Sequence, residues 1–204
     1  MKSLSLIIFI FTLAQNIWAQ NFNAGIISGI STTQVSGDNL AGFHKAGLIL
    51  GGFVSRNINN QMELQIEMTF TQKGSVNQKK DKLPQIADIN LNYLEFPILF
   101  KFVQSNNISI ELGLQTAALI EGYYSDLYGK LENQIEFNKL EIGGLIGFSY
   151  LLTRKISLNT RLSNSLLPIA PHASGQTYNL NKGKYNTGLN LSLIHISEPT
   201  RRRG

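Results

Sequence analysis

Residues 61–73 read Gln-Met-Glu-Leu-Gln-Ile-Glu-Met-Thr-Phe-Thr-Gln-Lys, and the alternation in this stretch decides the fold. Met62, Leu64, Ile66, Met68 and Phe70 share one parity, while Glu63, Gln65, Glu67, Thr69 and Thr71 share the other. Successive side chains of a strand point to opposite faces, so the two sets lie on opposite sides of a sheet. The pattern recurs downstream. Leu94, Phe96, Ile98, Phe100 and Phe102 alternate with Glu95, Pro97, Leu99 and Lys101. Ile108, Ile110, Leu112 and Leu114 alternate with Ser109, Glu111, Gly113 and Gln115. Leu140, Ile142, Ile146, Phe148, Tyr150 and Leu152 oppose Glu141, Gly143, Gly147 and Ser149, and Ile156, Leu158 and Leu162 oppose Ser157, Asn159 and Arg161.

A soluble sandwich alternates in the same way, with its polar face in water. The N-terminus points to lipid instead. Met1-Lys2 leads into Leu4, Ile7, Ile8, Phe9, Ile10, Phe11 and Leu13 and then Ile17-Trp18-Ala19. A basic start, an apolar core of roughly ten residues and a small closing residue are the parts of a secretory signal peptide. The expected signal is 1–19, with cleavage between Ala19 and Gln20. The apolar stretch is shorter than the ~20 residues of a spanning helix. The chain has no Cys, which excludes a lipid-anchored terminus and a disulfide scaffold.

Export without disulfides, 18 Gly, 11 Phe and 7 Tyr, together with repeated alternation, fit an all-β, eight-stranded antiparallel up-and-down transmembrane β-barrel in an outer membrane. The strands are expected near 22–34, 43–54, 61–73, 89–102, 107–120, 139–152, 155–167 and from 184 onward. Ile89, Leu91 and Tyr93 have the opposite parity to Leu94 and Phe96, so a bulge is expected near Tyr93. Links at 55–60, 103–106 and 153–154 are short and polar. Those at 35–42, 74–88, 121–138 and 168–183 are long. Short turns at one rim and long loops at the other are the asymmetry of outer-membrane barrels, with the short turns periplasmic.

Eight strands leave an interior that side chains fill. Strict parity sends Glu63, Gln65, Glu67, Glu95, Lys101, Glu111, Glu141 and Arg161 into it, with Gln115 and Asn159 beside them. Buried unpaired charge is costly, so Lys101 and Arg161 are expected to pair with some of the glutamates, with Lys73 or Lys139 absorbing part of the excess.

The final residues read differently. Leu191-Ser-Leu-Ile-His-Ile-Ser-Glu-Pro-Thr-Arg201 resembles a translated sequencing adapter. The barrel domain is therefore expected over 20–190, with 191–204 an artefact replacing the native end of the last strand. Removing Lys2, Arg201, Arg202, Arg203 and Glu198, four cations and one acid, takes the net charge from +5 to +2. No basic stripe with interleaved aromatics remains, so nucleic acid is not an expected partner.

The block Asn92-Tyr-Leu-Glu-Phe-Pro-Ile-Leu-Phe-Lys101, together with Gly42-Phe-His-Lys-Ala-Gly47, Glu63-Leu-Gln-Ile-Glu67, Thr71-Gln-Lys-Gly74 and Glu111-Leu-Gly-Leu-Gln115, resembles the PorT-type outer-membrane beta-barrel family. The resemblance runs from about Asn21 to Leu189 and implies a Gram-negative outer-membrane barrel. It transfers no catalytic residue and no cofactor, and some relatives are linked to secretion machinery.

The leading functional reading is a barrel without catalytic activity that has a structural, binding or assembly role. Its expected partners are outer-membrane lipid and lipopolysaccharide, with protein partners at loops 74–88 and 121–138. The first loop carries Lys79, Lys80, Asp81 and Lys82; the second carries Tyr123, Tyr124, Asp126 and Tyr128. Two alternatives differ in class. A lipid A-modifying enzyme needs a hydroxyl, a base and an orienting acid; His172 and Ser174 supply only the first two. A soluble lipocalin-like barrel for a small apolar ligand needs the faces reversed. Against it stands a charged fraction of 15%, where soluble surfaces carry ~25–35%. Isolated histidines without Cys give no metal-ligand spacing.

Overall fold

The period-two pattern folds as read. A computed structural model describes residues 22–38, 40, 42–78, 87–104, 107–132, 134–171 and 183–197. Its strands are β1 (Phe22–Ser36), β2 (Lys45–Asn57), β3 (Met62–Ser75), β4 (Asp88–Val103), β5 (Ile108–Asp126), the two-residue β6 (Gly129–Lys130), β7 (Leu140–Thr153), β8 (Ile156–Ser165) and β9 (Tyr185–Ser197). The sheet runs β4-β3-β2-β1-β9-β8-β7-β5, every pair antiparallel, and β4 pairs with β5 to close it. Eight long strands thus form a closed barrel, with β6 a hairpin appendage on β5. Closure satisfies the backbone and leaves no edge, which is what a lipid solvent demands. Even the shortest wall strand, β8, has 10 residues, enough to cross a bilayer core at a tilt of about 45°.

The faces are unambiguous. Ile26, Ile30, Leu48, Leu50, Ile66, Met68, Ile98, Phe100, Leu112, Leu114, Ile146, Phe148 and Leu162 all stand exposed on the outer wall. Gln65, Glu67, Glu95, Glu111, Glu141 and Arg161 are buried within it. An apolar exterior this continuous suits lipid and excludes the lipocalin-like arrangement, which needs greasy side chains inside.

Two local readings are corrected. A register shift does fall at Asn92/Tyr93 in the β4–β5 ladder, but β4 keeps its parity throughout. The extra residue is Ile120 on β5: Tyr93 pairs with Leu119 and Asn92 with Glu121. Ile89, Leu91 and Tyr93 therefore face inward together with Glu95, because an apolar interior near the long loops changes what the inner face prefers. Second, β5 continues through the expected loop to Asp126 and turns back through β6. The β3–β4 ladder also lapses between Ile66↔Ile98 and Thr69↔Glu95, at Pro97, which has no N–H to contribute.

Leu191–Ser197, the described part of the adapter-like string, forms the lower half of β9. Leu191, Leu193 and His195 point outward, and Ser192 and Ile194 inward. Ile194 pairs with Ile27 on β1 and with Ser157 on β8, so these residues close the wall. The expected signal segment and the loop lysines at 79, 80 and 82 lie outside the described residues.

Candidate functional site

Strand parity delivers polar side chains from β3, β4, β5, β7 and β8 to the axis, where they settle in two charged layers. In the layer nearer the short turns, Arg161 forks onto Glu67, with both Nη–Oε distances 2.7 Å. Its Nε donates to Glu111 Oε2 at 2.8 Å. Glu111 Oε1 meets Lys101 Nζ at 3.0 Å, and Gln65 Nε2 donates to Glu67. Planar bidentate pairing is what the guanidinium does best, and it fixes side-chain position as well as charge. Space for it comes from Gly147 on β7. A Cβ there would sit 2.8 Å from Arg161 Cγ.

The second layer lies nearer the long loops. Lys73 Nζ meets Glu95 Oε1 at 2.6 Å and Glu141 Oε1 at 2.9 Å. Thr71 Oγ1 donates to Glu95 Oε2, and Asn186 Nδ2 to Glu141 Oε2. Lys73 also lies 5.2 Å from the centroid of the Tyr93 ring. Between the layers is a void of 20 Å³ lined by Glu67, Glu95, Pro97, Gln115 and Arg161, room for about one water.

Beyond Lys73 the bore turns apolar. Val35, Ile89, Leu91, Tyr93, Ala117, Tyr124 and Ile169 pack into a plug, with Leu119 and Phe137 against it. Tyr124 stacks on Phe137 at 4.9 Å, and Lys184 Nζ donates to Tyr124 Oη at 3.0 Å. The chain makes room at Gly74, whose φ of +142° is open to glycine; an added Cβ would lie 2.0 Å from Ile89 O. Next to the plug, burial raises the Asp38 carboxyl above its ordinary value, opposed by hydrogen bonds from Ser75 and the Leu40 amide and by the charge of Lys184.

At the opposite end a 260 Å³ cavity opens among the short turns, lined by Ser55, Glu63, Gln65, Lys101, Ser109, Ser149, Ser157 and Ile194. The sequence-derived interior set therefore divides. Gln65, Glu67, Lys101, Glu111 and Arg161 form one cluster, Glu95 and Glu141 join Lys73 in the other, and Glu63 stands at the mouth, half-buried. Sequence reasoning missed Asn186 as a partner of Glu141, and the plug as a whole. The inward parity of Asn186 on β9 was the available signal. Lys139 is exposed at the rim.

What the described interior offers is ion pairs and the hydrogen bonds that hold them. Among the described residues no three His, Cys, Asp or Glu side chains gather as metal ligands. His44 is exposed at the rim and His195 faces outward. His172 and Ser174 lie outside the described residues.

The comparisons agree with this geometry. The crystal structure of Ail, the attachment invasion locus protein of Yersinia pestis, is similar with a TM-score of 0.53 at 12% identity, covering 87% of this chain and 99% of that one. Ail in complex with the heparin analogue sucrose octasulfate gives 0.52 at 13%, with the same coverage. Neisserial surface protein A gives 0.49 at 13%, covering 85% of this chain and 96% of that one. At such identities the likeness to Ail is one of fold. No curated protein matches the sequence. Residues 18–170 match the family described as outer membrane protein beta-barrel domain, three quarters of the chain. With a closed wall, an apolar exterior and a charged, filled bore, the chain belongs to that family and is an outer-membrane protein.

Proposed function

We propose that this barrel is a non-catalytic member of the PorT type, acting as a binding or assembly element whose working surface is its extracellular rim. One observation carries the reading: the β5–β6 hairpin, on the long-loop side, presents an apolar tip on a rigid base. Leu127 is 62% exposed and Tyr128 96%. Asp126 Oδ1 accepts from the amides of Tyr128 at 2.7 Å and Gly129 at 3.1 Å, which locks the turn. At its base Lys130 pairs with Glu121 at 3.3 Å and covers the Tyr123 ring at 4.7 Å. A pre-organised tip loses little conformational freedom on binding, and tyrosine is a frequent anchor of protein interfaces.

The filled bore supports the same reading, since among the described residues two ion layers and a plug occupy the axis. The three lysines at 79, 80 and 82 are the proposed contacts to lipopolysaccharide phosphates. A secretion-associated assembly is the proposed setting. A photo-crosslinking residue placed at position 128 in cells is expected to give one discrete protein adduct, lost on Leu127→Ala. Adducts to lipid alone would defeat the partner reading. In planar bilayers no steady conductance is expected, and the double variant His172→Ala with Ser174→Ala should leave lipid A unchanged.

A further inference from the structure

We propose that the cavity at the short-turn mouth binds a primary alkylammonium group, with the Glu63 carboxylate as its charge partner and Gln65 Oε1 and Ser55 Oγ as further acceptors. The charges in this half of the bore do not balance. Among the described residues Glu63, Glu67 and Glu111 face two cations inside the bore, Lys101 and Arg161. Arg161 is spent on Glu67 and Glu111, and Lys101 on Glu111. Lys101 sits directly across the ladder from Glu63, yet Glu63 has no ion pair among the described residues. One cation would restore neutrality.

The second observation is independent of charge. Gln65 is 1% exposed and Ser55 2%, and both line the cavity. Gln65 Nε2 is engaged by Glu67, which leaves Oε1 as an acceptor without a partner; Ser55 Oγ also has none. Buried polar atoms are normally satisfied, and each unmet one costs about 1–3 kcal/mol. An ammonium brings three donors to a place that holds three kinds of acceptor. The rest of the wall fits the stem. Phe53, Val103 and Leu151 give methylenes an apolar surface, and 260 Å³ admits a short aliphatic chain. Because the short turns of such barrels face the periplasm, the group would arrive from that side, as a free aliphatic amine or as a lysine side chain of a peptide.

Isothermal titration of the folded barrel in a nonionic detergent tests this, using cadaverine, N-acetyl-lysinamide and, as an uncharged stem, pentanol. Saturable heat with cadaverine alone identifies a free amine. Heat with the lysinamide as well identifies a peptide side chain. Either supports the site, provided pentanol is silent. Glu63→Gln should weaken binding roughly tenfold or more, the loss of a charge-assisted contact, and Ser55→Ala by a smaller factor. The half-buried position of Glu63 favours folding of the first variant, with heat-modifiable gel mobility as the check; Ser55→Ala carries the test if it fails. No heat from either amine means the cavity holds water only and overturns the proposal. So does binding that is indifferent to both substitutions, or pentanol binding as well as the amines.

Discussion

At the long-loop end the bore is filled by Val35, Ile89, Leu91, Tyr93, Ala117, Tyr124 and Ile169; at the short-turn end β2, β3, β5, β7 and β8 line a 260 Å³ cavity with serines, Gln65 and Glu63. The contrast is between a miniature globular core and a polar vestibule, with Arg161 and Lys73 between them. The upper end seals by excluding water, so every methylene there contributes by burial and tight packing. The lower end keeps a polar cavity, and its lining side chains are less closely packed against one another. One barrel therefore has a stability that is graded along its axis, and substitutions of similar size should differ by where they fall.

The largest effect is expected between the two regions. Arg161→Met strands Glu67 in the interior and leaves Glu111 to Lys101 alone, and should cost about 3–5 kcal/mol, read from urea-induced loss of heat-modifiable mobility. Adding Glu67→Leu to it should recover part of the loss, because one stranded carboxylate is then gone. In the plug, Leu91→Ala removes a side chain that is 1% exposed and should cost about 2–4 kcal/mol by the same assay. Gly74→Ala, which forces a Cβ against Ile89 O, should cost about 1–3 kcal/mol. The smallest effect is Ile196→Ala in the vestibule, expected below about 1 kcal/mol because Ile196 is only partly buried. If Leu91→Ala and Ile196→Ala cost the same, the two ends do not differ in kind and the graded picture falls.

Much of the wall was legible because lipid imposes a simple rule on it. Outside, every second residue must be apolar, and Met62 to Phe70 or Ile108 to Leu114 show that without ambiguity. The lower interior was legible for the complementary reason: Glu67, Glu111 and Arg161 have no place on a lipid face. The plug was not. Ile89, Leu91 and Tyr93 are apolar on the inner parity, so a rule that equates apolar with outward misplaces them and invents a kink in β4. The real irregularity, Ile120 on the neighbouring strand, leaves no compositional trace. Lys73 was within reach of parity, whereas its choice of Glu95 and Glu141 over the other carboxylates depends on height along the axis, which alternation does not encode. The β5–β6 hairpin was hidden in a segment that reads as loop, although Asp126 and Gly129 are turn residues in suitable places.

The closing seam has its own lesson. Leu191-Ser192-Leu193-Ile194-His195-Ile196-Ser197 completes the cylinder by setting its odd residues against the bilayer and its even ones toward the axis, in register with strands on both sides. What the wall asks of this stretch is alternation in step with both neighbours: a slip of one residue would turn Leu191, Leu193 and His195 toward the axis and set Ser192 and Ile194 against lipid.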